Sequence, residues 1–217
     1  MRRWLDNLVL VLGGALLAAS TAHAAVVINE VDYDQPVGFD TAEFIELKNT
    51  GPAPVNLAGW SLEFVNGTVG IPAAYQTVTL TTGTIAPGGY FVVSFGSAYP
   101  WYSDLQFNLI DSSVQNGPAD AIALHDASGA IVDALSYSGN CGAPWTEGAG
   151  TLLDDDNVTL NLGMSRSPDG ADSNDNAADF ALRCITPGAP NSGSTGGCGL
   201  PVPTSHRSWG AVKSHYR

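Results

Sequence analysis

Apolar and polar positions after residue 24 fall into short runs separated by turn residues. Val26-Val27-Ile28-Asn29-Glu30-Val31 is β-branched and opens the series. Glu43-Phe44-Ile45-Glu46-Leu47-Lys48 alternates acid and apolar, then meets Asn49-Thr50-Gly51-Pro52. Val55-Asn56-Leu57 leads through Ala58-Gly59 into a second alternating run, Trp60-Ser61-Leu62-Glu63-Phe64-Val65, closed by Asn66-Gly67. Thr77-Val78-Thr79-Leu80 is short, and Tyr90-Phe91-Val92-Val93-Ser94-Phe95 follows the turn Ala86-Pro87-Gly88-Gly89. Residues 121–125 and 130–137 flank Asp126-Ala127-Ser128-Gly129, a hairpin signature. Period-two runs this short, with no legible helical crossover, predict an all-β sandwich or barrel.

The amino terminus reads differently. Arg2 and Arg3 precede the apolar run Leu8–Ala19, too short for a span, which needs about 20 residues. Ala22-His23-Ala24 puts small residues before a cut at Ala25, so residues 1–24 are expected to be a secretory signal peptide. The mature chain is then expected outside the cell or on its surface, with no transmembrane segment after cleavage. At the other end, Ser192–Gly197 reads as a flexible linker into a terminal peptide carrying Trp209 and Tyr216. The expected division is 1–24 signal peptide, 25–191 sandwich, and 192–217 linker and basic tail.

Charge sharpens that division. The 217 residues carry 8 Lys plus Arg against 21 Asp plus Glu, a formal net charge of −13. Twenty of the acids lie in 25–191, where only Lys48, Arg166 and Arg183 oppose them; residues 192–217 hold three bases and no acid. Nucleic-acid binding by the body is not expected, because it cannot gather counterion-release energy from phosphates.

The ordered runs resemble a known family. Ile28-Asn29-Glu30-Val31, Glu43-Phe44-Ile45-Glu46-Leu47-x-Asn49 and Val55-Asn56-Leu57-x-Gly59-Trp60-x-Leu62 are similar to the lamin-tail domain in its bacterial secreted form. So are Ile85–Phe91, the Asp120-to-Tyr137 hairpin, Ser165-Arg166-Ser167-Pro168-Asp169-Gly170 through Asp179-Phe180, and Thr186-Pro187-Gly188-Ala189-Pro190-Asn191 as a closing motif. The resemblance covers nearly all of 25–191. It implies an immunoglobulin-like β-sandwich with a role in adhesion, tethering or substrate binding, sometimes beside secreted nucleases, phosphatases and other hydrolases. It brings no catalytic residues to carry over.

The residues themselves argue against an enzyme. His125 is the one histidine of the body, Cys-x-x-Cys is absent, and no Gly-x-Ser-x-Gly elbow accompanies His125 and the nearby Asp126 and Asp133. Glu43 and Glu46 stand three apart on a strand and so face opposite sides. Trp60, after the Gly59 turn, is expected to plug the core.

Four features remain as candidates. Of the three cysteines, Cys141 and Cys184 are the expected disulfide, closing some forty residues for about 4 kcal/mol in the loop-entropy model. Cys184–Cys198 is the alternative and would pin the linker; the expected pairing leaves Cys198 as a free thiol, a bridge between chains or an attachment point. Asp169, Asp172, Asn174, Asp175 and Asp179 pack oxygen ligands into one loop, a candidate structural Ca²⁺ site; Asx-turns and caps are the competing reading. Asp154-Asp155-Asp156-Asn157 is a second acidic patch. Tyr99, Trp101 and Tyr102 form an aromatic loop that could stack on sugars or fold over the core. Asn66-Gly67-Thr68 and Asn157-Val158-Thr159 are glycosylation sequons. The expected function is a secreted, non-catalytic binding, adhesion or tethering module. Its expected partner is an extracellular polymer, an envelope component or an exported hydrolase. The alternatives are a carbohydrate-binding module using the aromatic loop, and a calcium-dependent accessory to, or itself, an exported nuclease or phosphatase.

Overall fold

The computed structural model describes residues 25–35, 42–68, 70–96, 102–107, 114–155 and 160–199. The expected signal peptide, the terminal tail from residue 200, Tyr99, Trp101 and the Asn157 sequon lie outside the described residues.

Among the described residues, twelve strands and one short helix follow in chain order: β1 (Val26–Asp32), β2 (Phe44–Asn49), β3 (Val55–Asn56), β4 (Ser61–Asn66), β5 (Ala73–Thr79), β6 (Thr84–Ile85), β7 (Tyr90–Phe95), β8 (Leu105–Phe107), β9 (Asp120–His125), β10 (Ile131–Tyr137), β11 (Leu162–Arg166), α1 (Asn176–Asp179) and β12 (Phe180–Cys184). One sheet runs β12-β11-β1-β2-β7-β8, the other β10-β9-β4-β5, and β3 with β6 forms a two-stranded ribbon. Pairing is antiparallel except between β7 and β8. The chain is an immunoglobulin-like β-sandwich.

The core lies between the two sheets because alternate residues of each strand point inward. Ile28, Val31, Ile45, Leu47, Val93 and Phe95 from the first sheet meet Leu62, Phe64, Ile122, Leu124 and Leu135 from the second. Phe64 and Phe95 meet edge to face with centroids 5.4 Å apart, the arrangement ring quadrupoles favour. Trp60 is half-buried and packs on the margin of this core rather than plugging it. Gly59 takes φ +86°, the left-handed turn expected of it.

The outward residues of the six-stranded sheet are buried as well. Glu30 and Glu46 are register partners across β1 and β2, and both are fully covered. The cover is the closing motif. Thr186 donates its N–H to the Glu30 carboxylate (2.9 Å) and Gly188 donates to Glu46 Oε2 (2.6 Å). Asn191 donates Nδ2–H to the carbonyls of Asn29 and Arg166, at 3.1 and 2.9 Å. The segment thus straps the sheet's outer face. Burial lifts Glu30 to about 7 and lifts Glu46 well above the carboxylate range, the backbone donors offsetting part of the rise.

The expected Cys141–Cys184 bond does not form. Cys184 bonds Cys198, with Cα atoms 5.1 Å apart, while Cys141 is a buried free thiol. The chain returns alongside β12 after the strap, where Cys184 N–H donates to Ser194 O (2.9 Å), so Cys198 arrives beside Cys184. Cys141 instead packs with Val65 and Ala121, its Sγ 2.9 Å from Ala119 O. The irregular segment after β10 needs no covalent pin: Gly139 N–H to Thr151 O and Thr151 N–H to Ser136 O tie it down.

Candidate functional site

Two bulges set up the first site. The β1–β2 register shifts between Ile28 and Glu30, and the β9–β10 register shifts between Ile131 and Asp133. A bulge leaves backbone groups outside the ladder, and these must find partners. Ile28 N–H donates to Asp133 Oδ2, and Ile28 O accepts from Arg166 Nε at 2.8 Å. One side chain from each sheet thus completes the same residue's backbone.

Arg166, fully buried at the end of β11, is the hub. Its Nη2 meets both Asp133 oxygens at 2.9 and 3.1 Å, a bidentate pair. Its Nη1 donates to Ala171 O (2.8 Å), Asp179 Oδ2 (3.0 Å) and Asp172 Oδ1 (3.4 Å). The Phe180 ring lies 4.7 Å from the guanidinium carbon. Glu147, from the segment after β10, completes the cluster: oxygens of Asp133, Glu147 and Asp172 lie within 4.8 Å of one another and could hold a cation. One guanidinium faces four carboxyls here, and protonation relieves the imbalance. Burial lifts Asp133 to about 6 despite Arg166, and burial with the charges of Asp133 and Asp172 lifts Glu147 to about 8.

The five loop residues read as Ca²⁺ ligands are divided among different partners. Asp169 faces away from Arg166: Lys48 Nζ and the Tyr90 hydroxyl both donate to its Oδ2, and Asn29 Nδ2 donates to Oδ1 (3.0 Å). Burial opposes its ionisation, yet these donors win and hold it below the usual carboxylate range. Asp172 and Asp179 serve Arg166; Asp172 Oδ1 also accepts from Asn174 N–H, an Asx-turn, and Asp179 accepts from Ser173 N–H and Oγ. Asp175 caps α1 by accepting from Ala177 N–H, and Asn174 sits at φ +56°. Of the second patch, Asp155 is buried and accepts from Tyr33 N–H, while Asp154 accepts from the Tyr33 hydroxyl.

The remaining candidates are also tied into the fold. Tyr102 stands edge-on to Phe44 (5.6 Å) and packs on the Phe44, Val92 and Ile185 cluster, the position of a loop folded over a hydrophobic patch. His125, the one histidine among the described residues, has Nε2 3.0 Å from Glu63 Oε2 and Nδ1 3.1 Å from Gly129 O. Trp145 Nε1–H donates to that same Glu63 oxygen at 3.1 Å. Glu43 and Glu46 do face opposite sides of β2: Glu43 accepts from Val114 N–H toward the core, and Glu46 lies under the strap.

Sequence reasoning missed a cleft at the end of the four-stranded sheet. It is about 340 Å³ in volume, and Asn66, Thr68, Gln115, Asn116, Gly117 and Asp120 line it. Asn66 ends β4 and Asp120 begins β9, and the two are register partners. Asp120 is 2% exposed. Its Oδ1 accepts from Gly67 N–H at 3.2 Å, and burial, the larger influence, raises its pKa. Asn66 Oδ1 accepts from both Thr68 N–H (2.9 Å) and Thr68 Oγ (2.6 Å), so the sequon forms a closed Asx-turn. The backbone of Gln115 is gripped by two phenols: its N–H donates to Tyr75 Oη (3.1 Å) and its O accepts from Tyr137 Oη (2.9 Å). The one signal available in sequence was Asp120 beside Gly117-Pro118, a carboxylate at the mouth of a strand.

Comparison with known proteins agrees with this architecture. Residues 19–139 match the Lamin Tail Domain family, and no curated protein matches the chain. That match spans more than half of the sequence and takes in β1 through β10.

Proposed function

The chain belongs to the lamin tail domain family, and from that membership we propose that it is an exported, non-catalytic binding module that tethers itself to an extracellular polymer, an envelope component or an exported hydrolase. The family is an immunoglobulin-like module and generally non-catalytic. The observation that carries the reading is the commitment of Arg166, Glu30, Glu46 and His125 to partners within the fold. Arg166 serves a peptide carbonyl of the opposite strand and three carboxylates; Glu30 and Glu46 hold the strap; His125 is clamped between Glu63 and its own hairpin. A general base must reach a substrate proton, and these groups are already bonded within the fold. Export is supported by the apolar leader in the sequence; among the described residues no helix is long and apolar enough to cross a membrane.

The test combines fractionation with retention. The protein is expected outside the cytoplasm of its producing cell, and purified protein is expected to stay on isolated envelope or on polymer from that cell through washing. Recovery in the wash at all protein concentrations rejects tethering. Turnover of a phosphodiester or phosphomonoester by purified protein, lost in Asp172→Ala, rejects the non-catalytic reading in favour of the hydrolase one.

A further inference from the structure

We propose that the cleft at the ends of β4 and β9 binds a saccharide, a neutral ligand rich in hydroxyls, gripped by Asp120 and Asn66. This rests on the binding-module reading and gives the module a site and a ligand class. Asp120 supplies the acceptor. Among the described residues only Gly67 N–H donates to its carboxylate, through Oδ1, so Oδ2 is left for whatever enters the cleft. A carboxylate this deeply placed gains most from a donor brought in beside it.

Asn66 supplies the matching donor. Thr68 N–H can only donate, so the carboxamide oxygen must face Thr68 and the NH₂ group is left for the cleft. Because Asn66 and Asp120 are register partners, donor and acceptor sit side by side on a paired strand end. Adjacent hydroxyls on a sugar ring, each able to donate and accept, match that pair. Tyr75 and Tyr137 hold the Gln115 backbone in place, so little of that residue's freedom is lost on binding. The volume stands at the small end of ligand sites, which span about 300–1,000 Å³.

A divalent cation fits less well. It needs six or more converging oxygens, and the Asn66 oxygen is spent on Thr68. An anionic ligand would meet the Asp120 carboxylate head-on.

The test is ligand-observed NMR and calorimetry on the full chain with glucose, galactose, mannose, N-acetylglucosamine, cellobiose and chitobiose. At least one should bind. Asp120→Asn, which turns the free acceptor into a donor, should weaken it at least about tenfold, and Asn66→Ala should weaken it as well. Asp126→Asn, on the β9–β10 turn, should leave it unchanged. Absence of binding across the six sugars, or undiminished binding in both cleft variants, overturns the inference. Calcium binding lost in Asp120→Asn without any saccharide signal overturns it in favour of a cation site. Envelope retention of wild type and Asp120→Asn separates the two readings. Equal retention with no sugar bound removes the cleft and keeps the module. Loss of wild-type retention removes the module, while the titrations still judge the cleft.

Discussion

Arg166 and Asp120 stand at opposite extremes of how one protein uses a buried charge. Arg166 is fully enclosed and its donors are spoken for by Ile28 O, Ala171 O, Asp133, Asp172 and Asp179. Asp120 is nearly as enclosed, yet among the described residues one of its oxygens takes only Gly67 N–H and the other borders a cleft. Burial alone therefore says little about role. A charge whose partners are all internal joins chain segments, and a charge with an unspent oxygen at a cleft is placed for something outside the chain.

The most severe way to break this contrast is Arg166→Met. It strands three carboxylates and the Ile28 carbonyl, and should cost about 3–5 kcal/mol or more, read as a lower urea midpoint or loss of soluble protein. A loss under 1 kcal/mol would show that the hub holds little. Cys184→Ser should cost up to about 3 kcal/mol, the loop-entropy value for a closed segment of this size, with the strap loosening first in hydrogen exchange. Unchanged protection at Thr186 and Gly188 would contradict that order.

Acidity comes next. Glu30, Asp133 and Glu147 titrate in the folded chain near 7, 6 and 8, above the ordinary 4.5, 3.8 and 4.5. The native state therefore binds more protons than the unfolded state, and stability falls as pH rises between those limits. Asp169, held below its ordinary value, works the other way at strongly acid pH. The melting temperature should be highest at about pH 4–5 and several degrees lower by about pH 8.5. A melting temperature flat over that range would mean the carboxyl cluster ionises freely. Calcium tests the same cluster. Arg166 already occupies Asp172 and Asp179 as an ion-pair partner, so exchanging EGTA for millimolar calcium should move the melting temperature by less than about 2 °C. A larger rise, lost in Asp172→Ala, would establish a structural ion. The smallest stability effect belongs to Asp120→Asn, under about 1 kcal/mol, because the side-chain hydrogen bond from Gly67 N–H survives the change. A large destabilisation there would return Asp120 to the company of Arg166.

Much of the sandwich was legible in sequence, and the gaps have a physical pattern. β1, β2, β4, β7, β9 and β10 alternate or run apolar, and their expected bounds fall within a residue or so of those observed. β11 and β12 were not legible. Leu162-Gly163-Met164-Ser165-Arg166 is buried on both faces, one under the core and one under the strap, so no alternation survives. Gly163 looks like a breaker, yet a side chain there would meet Val31 O and Ile185 Cγ2 at 2.8 Å; the glycine lets β1 and the strap close in. The aspartates of 169–179 were visible as a cluster, but their destinations were not. Arg166 and Lys48 are two of only three bases in the body; Lys48 claims Asp169 from 121 residues away, and Arg166 takes Asp133 from the other sheet, 33 residues away, as well as its own loop's Asp172 and Asp179. The cysteine pairing failed for a related reason: the stretch read as a loose linker returns along β12.

The strap has a consequence for the order in which the chain is made. Glu30 and Glu46 emerge early, and the N–H groups that satisfy them belong to Thr186 and Gly188, 156 and 142 residues later. Until that stretch is synthesised, two adjacent carboxylates on the outer face of the first sheet lack the strap that covers them. Synthesis of the strap is therefore the event that seals that face. A fragment stopped short of Thr186 would carry all twelve described strands and still lack the piece that covers the outer face of the first two.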